Sequence, residues 1–147
     1  MSPKTILLVD ADSASLNYLT QMLQEQHYEI LRTGSGKEGL IYAWRDRPHL
    51  IIIDPVMKDI SGQQFLEKMR QDTRTSKTPI LALSSDPNPA FKHICLEAGC
   101  TEYLLKSTSI DPKKLSTMGF GEYRPLATND TAEGRRKNRR VEIIVSM

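Results

Sequence analysis

The chain has 147 residues, with 20 Lys+Arg against 18 Asp+Glu, a net charge of +2 and 2 cysteines. That length suits one compact domain, or one domain with an appendage, and it can bury a core without disulfides. The balance of charge points to no polyanionic partner, and no apolar run is long enough to cross a membrane. Cys95 and Cys100 are too few for a disulfide framework or a zinc site and are expected to be small, reduced core residues.

Met1 leads into a strand by about Thr5 with no signal-like apolar segment before it, so a cytoplasmic chain is expected. Thr5-Ile6-Leu7-Leu8-Val9 is a continuous apolar run that ends on Asp10. Leu16, Leu19 and Leu23 then recur at helical spacing, with Ser13 available as N-cap. Tyr28–Thr33 reads as a short strand. Ser35-Gly36-Lys37-Glu38 has capping-box spacing and opens a second helix that runs to about Arg45, before Pro48. Leu50-Ile51-Ile52-Ile53 is a β-branched run that reads as a strand buried on both faces, and it stops at Asp54. Ser61-Gly62-Gln63-Gln64 repeats the capping spacing, and Phe65, Leu66 and Met69 give the third helix its buried stripe. Pro79–Leu83 is a fourth apolar strand, ending on Ser84-Ser85. Asn88 before Pro89 starts a fourth helix, whose Phe91, Ile94 and Ala98 are expected to face inward, with Gly99 as C-terminal cap. Thr101–Leu105 is a fifth strand and ends on Lys106.

Strands and helices alternating in this way argue an α/β fold with a parallel sheet and right-handed crossovers. The polar residues have a pattern of their own. Asp10, Asp54, Ser84 and Lys106 each stand at the end of an apolar strand, and a parallel sheet gathers such ends at one edge, where α/β folds place their ligands. Singly, each has a plain structural reading: a strand terminator, a turn cap, a surface lysine. Together they suit phosphoryl transfer. Carboxylates without His or Cys are hard oxygen ligands that favour Mg2+ over zinc. An ionised Asp is a nucleophile toward phosphorus. Lys106 can supply a cation and Ser84 a hydrogen bond to the transferred oxygens.

With these residues on view, residues 4 to about 107 resemble the receiver domain of two-component response regulators. Ile6-Leu7-Leu8-Val9-Asp10, Asp54-Pro55-Val56-Met57 with Ser61-Gly62, Pro79-Ile80-Leu81-Ala82-Leu83-Ser84, and Glu97 to Lys106 carry the match, in order and at the family's spacing. The resemblance implies a flavodoxin-like, doubly wound five-stranded parallel sheet of order 2-1-3-4-5. It implies that Asp54 accepts a phosphoryl group from the phosphohistidine of a sensor histidine kinase or phosphotransfer protein. Asp10, Asp54 and the Val56 backbone carbonyl would then hold Mg2+, and Ser84 and Lys106 the phosphoryl oxygens. Tyr103 matches the aromatic switch position, which couples Ser84 to a downstream protein at the surface of the fourth helix and fifth strand. At most such a domain catalyses its own phosphorylation and dephosphorylation, and it is not otherwise an enzyme.

The chain departs from the family pattern at three places. The second of two adjacent acids after the first strand is Ala11, so metal affinity is expected to be weakened, unless Asp12 reaches in from the next position. Lys58 and Ser107 stand where prolines are usual. Ala11 also supports the alternative of a pseudo-receiver, a protein-interaction module that works without phosphorylation.

Residues 108–147 are expected to form a separate α/β tail. They carry 8 Lys+Arg against 5 Asp+Glu. Gly119–Pro125, Asn129-Asp130-Thr131 and Gly134–Ile143 resemble the last third of an OmpA-like domain, from about Ile110 to Val145. The ligand-binding Asp and Arg of that family lie upstream of the matched part and have no counterpart here, so peptidoglycan is not an expected ligand. Arg135, Arg136, Lys137, Arg139 and Arg140 read as a solvated basic face rather than a nucleic-acid contact, since no helix-turn-helix accompanies them. The tail is expected to cover the sheet face left by the usual last receiver helix, from its own chain or by swapping into a second copy to form a homodimer.

Overall fold

A computed structural model of the chain describes residues 3–106. The elements alternate as β1 (Thr5–Val9), α1 (Ser13–Glu25), β2 (Glu29–Thr33), α2 (Gly36–Asp46), β3 (Leu50–Ile53), α3 (Gly62–Gln71), β4 (Ile80–Ser84), α4 (Pro89–Ala98) and β5 (Glu102–Leu105). All pairings are parallel, in the order β2-β1-β3-β4-β5 expected from sequence. The readings of the tail, including the homodimer and the junction at 107/108, fall outside the described residues.

Alternation along the strands divides the core. Leu7 and Val9 of β1, Ile51 and Ile53 of β3, and Ile80 and Ala82 of β4 point to one face, where they pack with Leu40 and Ala43 of α2, Phe65, Leu66 and Met69 of α3, and Cys95 of α4. The intervening Ile6, Leu8 and Ile52 turn to the other face and are also buried. There α1 packs on β1 and β2 through Leu16, Leu19 and Leu23. Cys95 and Cys100 are both buried and unbridged, as expected. No described helix is long and apolar enough to cross a membrane.

Local chemistry sets the element ends, with four corrections. First, the N-cap of α1 is Asp12, not Ser13. The Asp12 backbone is extended, and its carboxylate accepts from Ala14 N–H. Second, β2 starts at Glu29, because the Tyr28 N–H is spent on the Leu23 carbonyl at 3.3 Å, closing α1. Third, β5 starts at Glu102, since Thr101 pairs with Ile80 partly through its side chain: the Ile80 N–H donates to Thr101 Oγ1 at 3.0 Å. Fourth, Ile94 does not face inward but is 41 % exposed. The inward spokes of α4 are Phe91, Cys95 and Ala98, a four-then-three spacing that rotates Ile94 onto the flank. Ser35, Ser61 and Asn88 cap α2, α3 and α4 as expected.

Arg70 ties the far end of α3 to its neighbours. Its Nη1 donates to the carbonyls of Thr75, Ser76 and Thr78 at 3.1, 3.2 and 2.7 Å, and its Nε donates to Gly99 at 2.8 Å. One side chain thus satisfies four carbonyls that a bare loop would leave to water.

Candidate functional site

The strand register builds the site. Val9 pairs with Ile53, and the ladder runs one residue further, since the Asp54 N–H donates to the Val9 carbonyl at 2.8 Å. Asp10 and Asp54 therefore leave neighbouring strands side by side, on backbones about 4.8 Å apart. On the next strand Ile53 pairs with Ala82, so Ser84 ends β4 on the same edge. The Asp10, Asp54 and Ser84 side chains are nearly buried, at 5, 8 and 0 % exposure. Lys106 directly follows Leu105, the last residue of β5.

One local device recurs at the ends of β1, β3 and β4. Asp10 Oδ1 accepts the Asp12 N–H at 2.9 Å. Asp54 Oδ1 accepts the Val56 N–H at 2.9 Å. Ser84 Oγ accepts the Asp86 N–H at 3.0 Å. Each strand thus ends on a side chain that receives the amide two residues on, folding its own loop back over the edge. This explains why short acceptor side chains stand at these positions, and it holds each functional group in a fixed pose.

Around this edge, Asp10 N–H donates to the Thr33 carbonyl at 3.0 Å, while Thr33 Oγ1 donates to Glu38 Oε1 at 2.6 Å. The capping box read at Ser35 and Glu38 is thus half direct and half relayed. Ser35 Oγ accepts from Glu38 N–H at 3.1 Å, but Ser35 N–H reaches Thr33 Oγ1 instead of the Glu38 carboxylate. The β3–α3 loop closes tightly onto α3: a Cβ added at Gly62 would lie 2.4 Å from the Pro55 carbonyl oxygen, so that position excludes a side chain.

Tyr103 is buried, and its hydroxyl donates to the Asp86 carbonyl at 2.9 Å. Phe91 meets its ring edge-on, with centroids 6.2 Å apart. Burial raises the hydroxyl above the usual phenol value and the Ser84 hydroxyl pulls it partway back. The group stays protonated at neutral pH and can act as a donor.

The Asp10 and Asp54 carboxylates at the ends of adjacent strands are hard oxygen donors of the kind a divalent cation takes. The Asp12 carboxylate is engaged at the start of α1, its Oδ1 accepting from Ala14 N–H at 3.2 Å and its Oδ2 from Ser15 Oγ at 2.9 Å. Among the described residues, no three His, Cys, Asp or Glu side chains gather as a metal cluster.

Two residues of this region carry no local sequence signal. Asp86 supplies the carbonyl for Tyr103. Asp59 accepts from Ser35 Oγ at 2.7 Å and from the Gly36 and Lys37 N–H groups at 3.0 and 3.1 Å. These bonds hold its carboxyl down at about 2.

The family model described as "Response regulator receiver domain" matches residues 6–118, running past the junction read at residue 107. Histidine kinase P4 of Formosa agariphila is 30 % identical over 121 residues, which are 82 % of this chain but 9 % of that protein. The chain therefore spans a small part of that relative's length. The chemotaxis response regulator CheY4 of Vibrio cholerae superposes with a TM-score of 0.67 at 28 % identity, covering 71 % of this chain and 88 % of its own. The receiver domain of a sensor histidine kinase from Pseudomonas aeruginosa, solved with magnesium coordinated in its active-site cleft, gives 0.67 at 25 % identity, covering 71 and 86 %. By the family match and the sheet that carries it, this chain belongs to the response regulator receiver domains of two-component signalling.

Proposed function

We propose that this receiver is a phosphoacceptor. Asp54 takes a phosphoryl group from the phosphohistidine of a sensor histidine kinase or phosphotransfer protein, in a site that binds Mg2+ through Asp10, Asp54 and the Val56 carbonyl. An Asp54 carboxylate oxygen attacks phosphorus as the P–N bond breaks. The imidazole leaves with the bonding pair and takes up a proton, and an aspartyl-phosphate remains. Bound Mg2+ supplies neutralising charge for the phosphoryl oxygens. Lys106 adds a second cation and Ser84 a hydrogen-bond donor. Later attack by water returns the carboxylate and releases inorganic phosphate. The output is a protein contact at the α4 and β5 face, reached from Ser84 through Asp86 and Tyr103.

The observation that carries this reading is the matched pair of turns at Asp10 and Asp54, which fixes two nearly buried carboxylates on adjacent strands. The magnesium-bound histidine-kinase receiver supports the choice of metal by likeness. Intact mass after incubation with acetyl phosphate and Mg2+ tests it. One phosphate adduct is expected, absent in Asp54→Asn and absent without Mg2+. A folded chain that gains no adduct at high Mg2+ leaves the second reading, a pseudo-receiver acting through protein contacts alone. Ala11 and the engagement of Asp12 at the cap of α1 favour that alternative.

A further inference from the structure

Val56 is 54 % exposed, so its own packing does little to fix its carbonyl, while Met57 and Ile60 of the same loop rest against the core. Polar fastenings stand on either side of Val56. On one side the Val56 N–H is bound to Asp54 Oδ1 at 2.9 Å. On the other, the Asp59 carboxylate sits at the N-terminus of α2 and receives Ser35 Oγ and the Gly36 and Lys37 amides at 2.7, 3.0 and 3.1 Å. The first turn of a helix presents unpaired N–H groups and a positive dipole end, so a carboxylate is well held there. The loop's apolar side chains seat on the same residue. A Cβ at Gly36 would lie 2.4 Å from Ile60 Cγ2 and 2.5 Å from Met57 Sδ.

The helix receiving this anchor is itself joined to the other carboxylate. Ser35 N–H donates to Thr33 Oγ1 at 3.1 Å, and the Thr33 carbonyl accepts the Asp10 N–H at 3.0 Å. Asp10 and Asp54 are therefore connected twice. One route is the β1–β3 ladder. The other runs outside it, through Thr33, Ser35, Asp59 and the β3–α3 loop.

We infer that Asp59 is a positioning residue of the Asp54 site: by anchoring residues 55–60 to the start of α2, it sets where the Val56 carbonyl stands and thereby sets the affinity of the site for a divalent cation. The inference rests on the metal-dependent reading given above. Groups that orient metal ligands without touching the ion commonly change affinity about 10–100-fold when removed. An exposed helix cap with no such role changes stability alone.

The test uses the full chain, 15N-labelled, as wild type, Asp59→Ala, Asp59→Asn and Asn88→Ala. The last removes the cap of α4 and serves as a control for cap loss elsewhere. Two quantities are read: the Mg2+ concentration that half-saturates the shift of the Val56 amide, and the exchange rate of that amide with water in the absence of metal. In Asp59→Ala the half-saturating concentration is expected to rise about tenfold and exchange at Val56 to quicken. Asp59→Asn, which keeps one acceptor oxygen, should fall between. Asn88→Ala should leave both at wild-type values. Wild-type values in Asp59→Ala, or equal shifts in Asp59→Ala and Asn88→Ala, would reduce Asp59 to an ordinary cap and overturn the inference. If the wild-type chain shows no saturable Mg2+ shift, the metal-site reading itself fails and takes the affinity claim with it. Metal-free exchange at Val56 decides the anchoring claim in either case.

Discussion

The Tyr103 hydroxyl donates to the Asp86 carbonyl at 2.9 Å, and the amide of the same Asp86 donates to Ser84 Oγ at 3.0 Å. One peptide segment thus connects the hydroxyl at the end of β4 to an aromatic ring in β5. Under the proposed function, a shift of the Ser84 loop that carried Asp86 with it would act on the Tyr103 bond.

Tyr103→Phe removes the hydroxyl, with its bond to Asp86 and its interaction with Ser84, and keeps the ring and its edge-on contact with Phe91. The Asp86 carbonyl then loses a protein donor in a partly buried place. Urea unfolding is expected to show a loss of about 1 kcal/mol, the usual net worth of such a bond, with an unchanged m-value. A loss below about 0.3 kcal/mol would mean that water replaces the hydroxyl at little cost, and the bond could not hold the Ser84 loop.

Position 11 offers a gain rather than a loss. Ala11 is exposed and follows Asp10 at the carboxyl edge of β1, so an added carboxylate there meets no packed neighbour. Ala11→Asp raises the number of acidic ligands, which is a main control on divalent-cation affinity. Mg2+ titration is expected to show at least about tenfold tighter binding, with little change in melting temperature in the absence of metal. Unchanged affinity would show that this edge does not bind the cation with the ligand set proposed.

Most of the fold, and the gathering of Asp10, Asp54 and Ser84 at one sheet edge, could be read from sequence because their signals are local. Asp10, Asp54 and Ser84 each close an apolar run, and a parallel sheet necessarily collects such ends. Ser35, Ser61 and Asn88 announce their helices within a few residues. The misses are those settled by partners far along the chain, or by competition between equals. Asp59 bonds to Ser35 across the whole of α2 and β3, and no periodicity marks it. Ile94 and Cys95 are both apolar and adjacent, so spacing from Phe91 cannot choose between them. The packing of α4 on the sheet makes the choice, and it buries Cys95. Asp12 is the N-cap that sequence assigns to Ser13: the turn built on Asp10 leaves the Asp12 backbone extended, and its carboxylate accepts the Ala14 N–H and the Ser15 hydroxyl.

Acid should weaken the fold through surface carboxylates of one kind. The Ser35 hydroxyl and the Lys37 and Gly36 amides hold Asp59 at about 2, against an ordinary value of 3.8. Arg74 does the same to Asp72, also to about 2. A carboxyl depressed in the folded state stabilises it fully above the unfolded value, and the contribution is lost as the pH falls through the folded value. For Asp59 the window lies between 3.8 and about 2. Asp59 is exposed and Asp72 is half-buried at the surface, so salt screening makes the effect modest. The informative quantity is therefore a difference between variants. Urea midpoints of wild type and Asp59→Asn should stand apart by a constant amount from pH 7 down to about 4. Below that they should converge as the wild-type carboxyl takes up its proton and comes to resemble the amide. A gap that persists undiminished to the lowest pH at which the chain still folds would mean that charge at Asp59 contributes nothing, and that the anchor is held by acceptor geometry alone.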